Sequence, residues 1–267
     1  MKIIDVHTHI FPEKIAAKAT GHISEFYDTP ICYNADVQTL LQRMDANGIT
    51  GSIVFSAATT VEQVTHINDF LHRTVTENNQ KLMGFFTLHP HMEETALADE
   101  FQRAVSMGFK GIKLHPDFQE FAIDDPAAFP IYELAQQNGV PILFHTGDNR
   151  FAYSNPHRLA KIMQLFPHLT VIGAHFGGWS EWDEAVEVLA KTENLFFDTS
   201  SPRAFIPLET IRKSVHAFGA DRLLFGTDFP MWDAEDELPF IDRLGLHESE
   251  KEKVLCANAC NLLGIEL

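Results

Sequence analysis

The feature that most constrains the fold is a regular alternation of short apolar runs with stretches of helical periodicity. The runs are nearly continuous in β-branched and aromatic residues, as in strands buried on both faces of a parallel sheet. The stretches between them place apolar residues at helical spacing and stop at Gly or Pro, as from Val37 to Gly48. The eight runs are KIIDVH (2–7), GSIVFS (51–56), LMGFFTL (82–88), KGIKLH (110–115), VPILFH (140–145), LTVIGA (169–174), NLFFDT (from 194) and RLLFGT (222–227).

Eight strand–helix units in one chain predict a (β/α)8 TIM barrel, an α/β fold of about 250 residues. A doubly wound open sheet is the alternative, but no G-x-G-x-x-G follows the first run. We expect residues 1–267 to form one domain. The connection at about 10–35 is long for a first strand–helix unit, and we expect a loop that folds over the mouth of the barrel.

The first run carries polar residues at every second position. In IIDVHTHIF, strict alternation would place Asp5, His7 and His9 on one face of the strand. Because a buried polar group costs several kcal/mol unless it is paired, this face needs a strong partner such as a metal ion. We expect Asp5 to hold one of the imidazoles in place.

Polar side chains also close most of the other runs. In TIM barrels the active site lies at the carboxyl ends of the strands, so these residues are expected to converge. Histidine and aspartate meeting at one point form a site for a divalent metal ion. For a single histidine, a hydrogen-bonded core residue is the simpler interpretation, and only the set as a whole favours a metal. The strand-end residues are His7, His9, Lys113, His115, His145, His175, Asp198 and Asp228.

Composition narrows the range of partners. The chain has 20 Lys and Arg against 37 Asp and Glu, a net charge of −17, so nucleic-acid binding is not expected. No apolar run approaches the roughly 20 residues of a membrane span, and no signal-peptide pattern opens the chain. We predict a cytoplasmic protein with a small-molecule substrate, and a homodimer as the commonest symmetric assembly.

Four motifs together resemble the amidohydrolase superfamily. These are DVHTH at 5–9, ILFHTG around His145, GAHFGG around His175 and LLFGTDFP around Asp228. In this order they resemble the branch called amidohydrolase family 2, which includes aminocarboxymuconate semialdehyde and γ-resorcylate decarboxylases. The resemblance spans nearly the whole chain.

The resemblance implies a set of ligands and catalytic groups. One or two divalent ions, with Zn²⁺ as the expected metal, would be bound by His7, His9, His145 and Asp228. His175 would act on water or substrate, and Asp228 would also move a proton. In binuclear relatives a lysine on the fourth strand is carbamylated and bridges two metals, which would make Lys113 a bridge and His175 a second-metal ligand.

Three reactions or roles remain open. We favour a hydrolase that acts through a metal-activated water, because Lys113 completes the binuclear set. A non-oxidative decarboxylase of an aromatic or unsaturated acid is the alternative, in which Arg150, Arg203 and Trp179 on mouth loops would bind the substrate. A barrel that has lost activity and serves as a binding module is the third reading, and the complete ligand set argues against it.

Overall fold

The computed structural model describes residues 1–266 and contains one sheet of eight parallel strands in the order β1 to β8. Each strand pairs with the next one along the chain, which confirms the predicted (β/α)8 barrel. The strands are β1 (Ile4–His9), β2 (Gly51–Phe55), β3 (Leu82–Phe86), β4 (Gly111–Leu114), β5 (Ile142–Phe144), β6 (Val171–Gly173), β7 (Leu195–Asp198) and β8 (Leu223–Leu224).

Backbone hydrogen bonds draw the first and last strands together. The amide of Val6 donates to the carbonyl of Phe225 at 2.9 Å, and the amide of Asp228 donates to the carbonyl of His7 at 2.9 Å. The barrel is therefore nearly closed beside the histidines of β1, and the residues after β8 are held against them.

Helices surround the barrel, and local signals explain their ends. The Asp36 carboxylate accepts a hydrogen bond from the Thr39 amide and begins α2, while Gly48 ends it at a φ of 69°. No helix within residues 1–266 is long and apolar enough to cross a membrane. The helices are α1 (Glu13–Tyr27), α2 (Val37–Asn47), α3 (Gln63–Glu77), α4 (Glu94–Ser106), α5 (Pro116–Gln119), α6 (Phe129–Asn138), α7 (Pro156–Leu165), α8 (Trp182–Leu189), α9 (Leu208–Phe218), α10 (Ala234–Ile241), α11 (Glu248–Glu252) and α12 (Asn258–Leu263).

The segment at about 10–35 is not the loop expected from the sequence, because most of it is the 15-residue helix α1. Pro12 precedes the helix, and the left-handed Asp28, at a φ of 47°, ends it. The helix ends at Tyr27, whose hydroxyl oxygen lies 3.0 Å from Nε2 of His115. The helix thus reaches the strand-end histidines.

The prediction that Asp5 shares a face with His7 and His9 is wrong. The pairing of β1 with β2 shifts between Asp5 and Thr8, and such an irregularity breaks the alternation of side chains. Asp5 instead lies beside Leu40 and Met44 of α2. Ile4 and Val6 belong to a buried cluster whose strand residues come from β1, β2, β3, β5, β6 and β8, and residues from strands so far apart meet only inside the barrel.

Candidate active site

Three ligand atoms meet at the mouth of the barrel and form what we call the Asp228 cluster (His7, His9 and Asp228). The Nε2 atoms of His7 and His9 are 3.2 Å apart. Oδ1 of Asp228 lies 3.2 Å from the first of these atoms and 3.3 Å from the second. Atoms bound to one divalent ion at about 2.1 Å are separated from each other by roughly 3.0–3.4 Å. The triangle therefore fits a single divalent ion.

The backbone after β8 brings Asp228 into this position. Asp228 has a φ of 65°, a left-handed conformation that is unfavourable for a residue with a side chain and typical of functional sites. Its second carboxylate oxygen, Oδ2, accepts a hydrogen bond of 2.9 Å from the hydroxyl of Ser201. One oxygen is thus anchored while the other faces the two imidazoles.

Asp198, and not Asp5, holds the imidazole of His7. Oδ2 of Asp198 lies 2.8 Å from Nδ1 of His7, and both side chains are buried. Gly226 makes this approach possible, because a Cβ at that position would lie 3.0 Å from Cβ of His7. The carboxylate of Asp5 accepts instead from the amides of His7 and Thr227 and from the Thr227 hydroxyl.

A chain of hydrogen bonds assigns the protons around Asp198. The Ser200 hydroxyl donates to Oδ1 of Asp198 at 2.5 Å, so it must accept from Nδ1 of His175, which lies 2.8 Å away. Nε2 of His175 is then an acceptor, and Nδ1 of His145 donates to it at 3.1 Å. By the same reasoning Nδ1 of His7 donates to Asp198, so Nε2 is the atom of this imidazole that can bind a metal.

Burial and charge set the protonation of these groups. Burial lowers the pKa of His9 and of His175 to about 4, so both are neutral at pH 7, the form that binds metals. Burial alone would raise the pKa of Asp228, but His7 and His9 outweigh it and hold that pKa well below its usual value. Asp228 is therefore a carboxylate at neutral pH.

Lys113 lies inside the barrel next to the Asp228 cluster. Its side chain is fully buried, with Nζ 3.4 Å from Nε2 of His7 and 4.8 Å from the centre of the Phe55 ring. Burial lowers the pKa of this amine to about 8, against the opposing effect of Asp198 and Asp228. The strand parity of the sequence left open whether Lys113 points inward or outward, and the structure has it inside the barrel.

His145 does not join the Asp228 cluster directly. Its Nε2 faces Oδ2 of Asp117 at 3.8 Å, and Asp148 lies beside them, a group that we call the Asp117 cluster (Asp117, His145 and Asp148). Both carboxylate oxygens of Asp117 and Nε2 of His145 are buried without a hydrogen-bond partner among the described residues. Burial raises the pKa of Asp117 to about 7.

Tyr27 and His115 form a contact that the sequence did not reveal. The amide of Phe118 donates to Nδ1 of His115, so the Nε2–H donates to the Tyr27 oxygen at 3.0 Å. The hydroxyl hydrogen of Tyr27 is then free for another acceptor. Tyr27 lines a small chamber together with His9, His145 and Asp228, so this hydrogen can point to a ligand there.

The two arginines suggested for substrate binding are already paired. The guanidinium of Arg150 donates to both oxygens of Asp148 at 2.9 and 2.7 Å and lies over the rings of Phe26 and Trp179. Arg203 donates to Oε1 of Glu237 at 3.1 Å. Trp179 lies at the mouth, with its ring 5.1 Å from that of Tyr27 and 6.4 Å from that of His145.

Comparisons with known proteins identify the family of this chain. The family model described as Amidohydrolase matches residues 4–265. A 2-amino-3-carboxymuconate-6-semialdehyde decarboxylase of Dictyostelium discoideum is 22% identical over 75% of this chain and 66% of its own length, so about a third of that relative is unmatched. A gamma-resorcylate decarboxylase of Polaromonas sp. is 23% identical over 82% of this chain and 84% of its own length.

Solved structures share the fold. A 5-carboxyvanillate decarboxylase of Sphingomonas paucimobilis superposes with a TM-score of 0.78 at 18% identity over 99% of both chains. A dihydroxybenzoic acid decarboxylase of Polaromonas sp., with bound manganese and the inhibitor 2-nitroresorcinol, gives a TM-score of 0.74 at 20% identity over 98% of this chain and 97% of its own. With its family match over nearly the whole length, the chain belongs to the amidohydrolase family.

Proposed function

We propose that this protein is a metal-dependent, non-oxidative decarboxylase of an aromatic or unsaturated carboxylic acid. The observation that carries the proposal is that both sequence relatives, aligned over 75% and 82% of the chain, are named decarboxylases. The Asp228 cluster supports it, because its triangle of ligand atoms fits one ion. This reverses the preference for hydrolysis that Lys113 suggested in the sequence.

The residues for a metal are present in the right form. His7, His9 and Asp228 would hold one divalent ion, and His145 is the further ligand that the family resemblance implies. When bound, such an ion would draw electron density from the substrate carboxylate and a neighbouring oxygen. Two imidazoles and a carboxylate suit zinc as well as manganese, so we propose zinc and test manganese beside it.

The chain's own residues would relay the proton to the substrate. Decarboxylation breaks the bond between the carboxyl carbon and the adjacent carbon, releases CO2 and leaves an electron pair that must take up a proton. His175 would relay this proton: its Nε2, which is a free base when His145 turns away, would take up a proton from solvent water and pass it to the carbon, while its Nδ1 stays anchored on Ser200. Asp228 is the second group that can carry the proton.

Binding of the acid would use the residues above the cluster. The free hydroxyl hydrogen of Tyr27 can bond to a substrate oxygen, and Trp179 would form an aromatic wall beside it. Arg150 and Arg203 would contact a substrate only after leaving Asp148 and Glu237. We therefore propose that these arginines mainly hold the mouth loops in place.

The test is a product assay with metal-loaded protein. Zinc- and manganese-loaded samples are incubated with hydroxybenzoates and unsaturated dicarboxylates, and in parallel with lactones and amides. The proposal expects CO2 and the decarboxylated product in equal amounts from at least one acid. Turnover of lactones or amides without CO2 release from any acid would contradict it.

Hydrolysis remains a second candidate because of one specific observation. Lys113 is fully buried 3.4 Å from Nε2 of His7, and its lowered pKa favours the neutral amine that reacts with CO2 to form a carbamate. A carbamylated Lys113 would bridge two ions, with His145 and His175 as further ligands. Two ions per chain together with lactone or amide turnover would support this candidate.

A further inference from the structure

The chamber next to the Asp228 cluster is too small for the acid that the proposed function requires. It has a volume of about 20 Å³ and is lined by His9, Tyr27, His145 and Asp228. Such a volume holds about one water molecule, whereas sites for small organic ligands span roughly 300–1,000 Å³. The chamber therefore leaves no room for a ring or chain beside the reacting carboxyl group, so the rest of the substrate must lie elsewhere.

A second cavity of about 760 Å³ adjoins the chamber between α1 and α3. Its walls are one face of each helix: Ile15, Ala19 and Ile23 recur at helical spacing along α1, and Ile67 and Phe70 do so along α3. His9, Ile23 and Phe118 line the cavity and the chamber alike. These shared residues form a neck that joins the metal-facing chamber to the cavity.

The lining of the cavity is mostly apolar, and its polar members include His22 and His66. None of its lining residues, which all lie in the described part of the chain, is Lys or Arg, and Glu62 is its single carboxylate. An anionic group would find no permanently charged cation there and would face this carboxylate. A neutral apolar group would instead gain the transfer of its surface from water.

We propose that the substrate is a carboxylic acid with a bulky uncharged apolar substituent, such as a second ring or an alkyl chain, which lies between α1 and α3. The carboxyl end reaches the Asp228 cluster through the neck at Ile23 and Phe118. This inference rests on the proposed function for the carboxyl end of the substrate. The cavity would select among such acids by binding the apolar substituent.

The experiment measures binding by isothermal titration calorimetry to manganese- or zinc-loaded protein. The probes are salicylate and its 4-phenyl and 5-phenyl derivatives, which share the carboxylate and hydroxyl groups and differ in the apolar substituent. At least one phenyl derivative is expected to bind about tenfold or more tightly than salicylate. Ala19→Phe fills the cavity from α1 and is expected to reduce this advantage to twofold or less, with the salicylate Kd unchanged.

Two further variants keep the test decisive. Ala17→Phe is the matched control on the same helix, because Ala17 is exposed and does not line this cavity, and it should retain the advantage. Ala57→Phe fills the cavity from the end of β2 and replaces Ala19→Phe if that variant does not fold. Equal affinities of all three acids for the wild-type protein would overturn the inference and leave the proposed function standing. If none of the three acids binds or is decarboxylated, both the inference and the aromatic-acid form of the proposed function fail.

Discussion

The two carboxylate clusters at the barrel mouth differ in how their polar atoms are paired. In the Asp228 cluster, Nδ1 of His7 has a carboxylate partner at 2.8 Å and its Nε2 faces Asp228 at 3.2 Å. In the Asp117 cluster, both Asp117 oxygens and Nε2 of His145 are buried acceptors without a donor. The first cluster is preorganised for a cation, while the second is costly until a donor, a proton or an ion satisfies it. Replacing Asp by Asn in each cluster tests this difference.

The largest effect is expected from Asp228→Asn. The amide keeps the shape but removes the charged ligand, so we expect loss of the tightly bound ion and a decrease in kcat/KM of about 1,000-fold or more. Metal content by elemental mass spectrometry and CO2 release measure the two effects. Asp99→Asn, at an exposed position on α4, is the matched control and should change neither. Full metal content in Asp228→Asn would contradict the assignment.

Asp198→Asn should have a smaller effect on the same ion. The amide can no longer accept as a carboxylate from His7, Ser200 and the His175 amide, so the imidazoles lose their orientation. We expect the metal affinity to fall by about 10–100-fold. A chelator competition titration measures this change. An affinity within twofold of the wild type would show that His7 is positioned by other contacts.

Asp117→Asn is expected to stabilise the protein, whereas the two substitutions above impair metal binding. The new amide supplies the donor that Nε2 of His145 lacks, and it removes a buried charge without a partner. The free energy of unfolding of the metal-free protein should increase by about 1–2 kcal/mol, as measured by urea denaturation. A decrease of similar size would show that the carboxylate is satisfied in solution by a group that Asn cannot bind.

Glu237 tests the same principle in a region without histidines. Burial raises the pKa of Glu237 to about 8 despite Arg203, and its Oε2 has no partner among the described residues. Because the folded pKa exceeds the usual 4.5, the stability that this carboxyl contributes is present below pH 4.5 and is lost as the pH rises towards 8. Between pH 6 and 7 the free energy of unfolding of the wild type should fall by about 1 kcal/mol relative to that of Glu237→Gln. A difference that does not depend on pH would contradict this account.

The sequence predicted the barrel and most of the mouth because both follow from strand periodicity. A parallel barrel puts every strand end on one rim, so His7, His9, His175 and Asp228 could be brought together without knowledge of their contacts. The irregularity in β1 turned Asp5 away, and no sequence signal marks such a shift. Asp198 could have been assigned to His7 from its place at the end of β7. The pairing of Arg150 with Asp148 depends on loop conformation, which periodicity does not encode.

The most direct test of the central claim is the number of tightly bound divalent ions per chain. The wild type and Lys113→Met are purified without chelators or a metal-binding tag, and their metals are counted by elemental mass spectrometry. The account predicts about one ion per chain in both proteins, held by the Asp228 cluster. Two ions in the wild type that fall to one in Lys113→Met would contradict it and make Lys113 the bridge of a binuclear site.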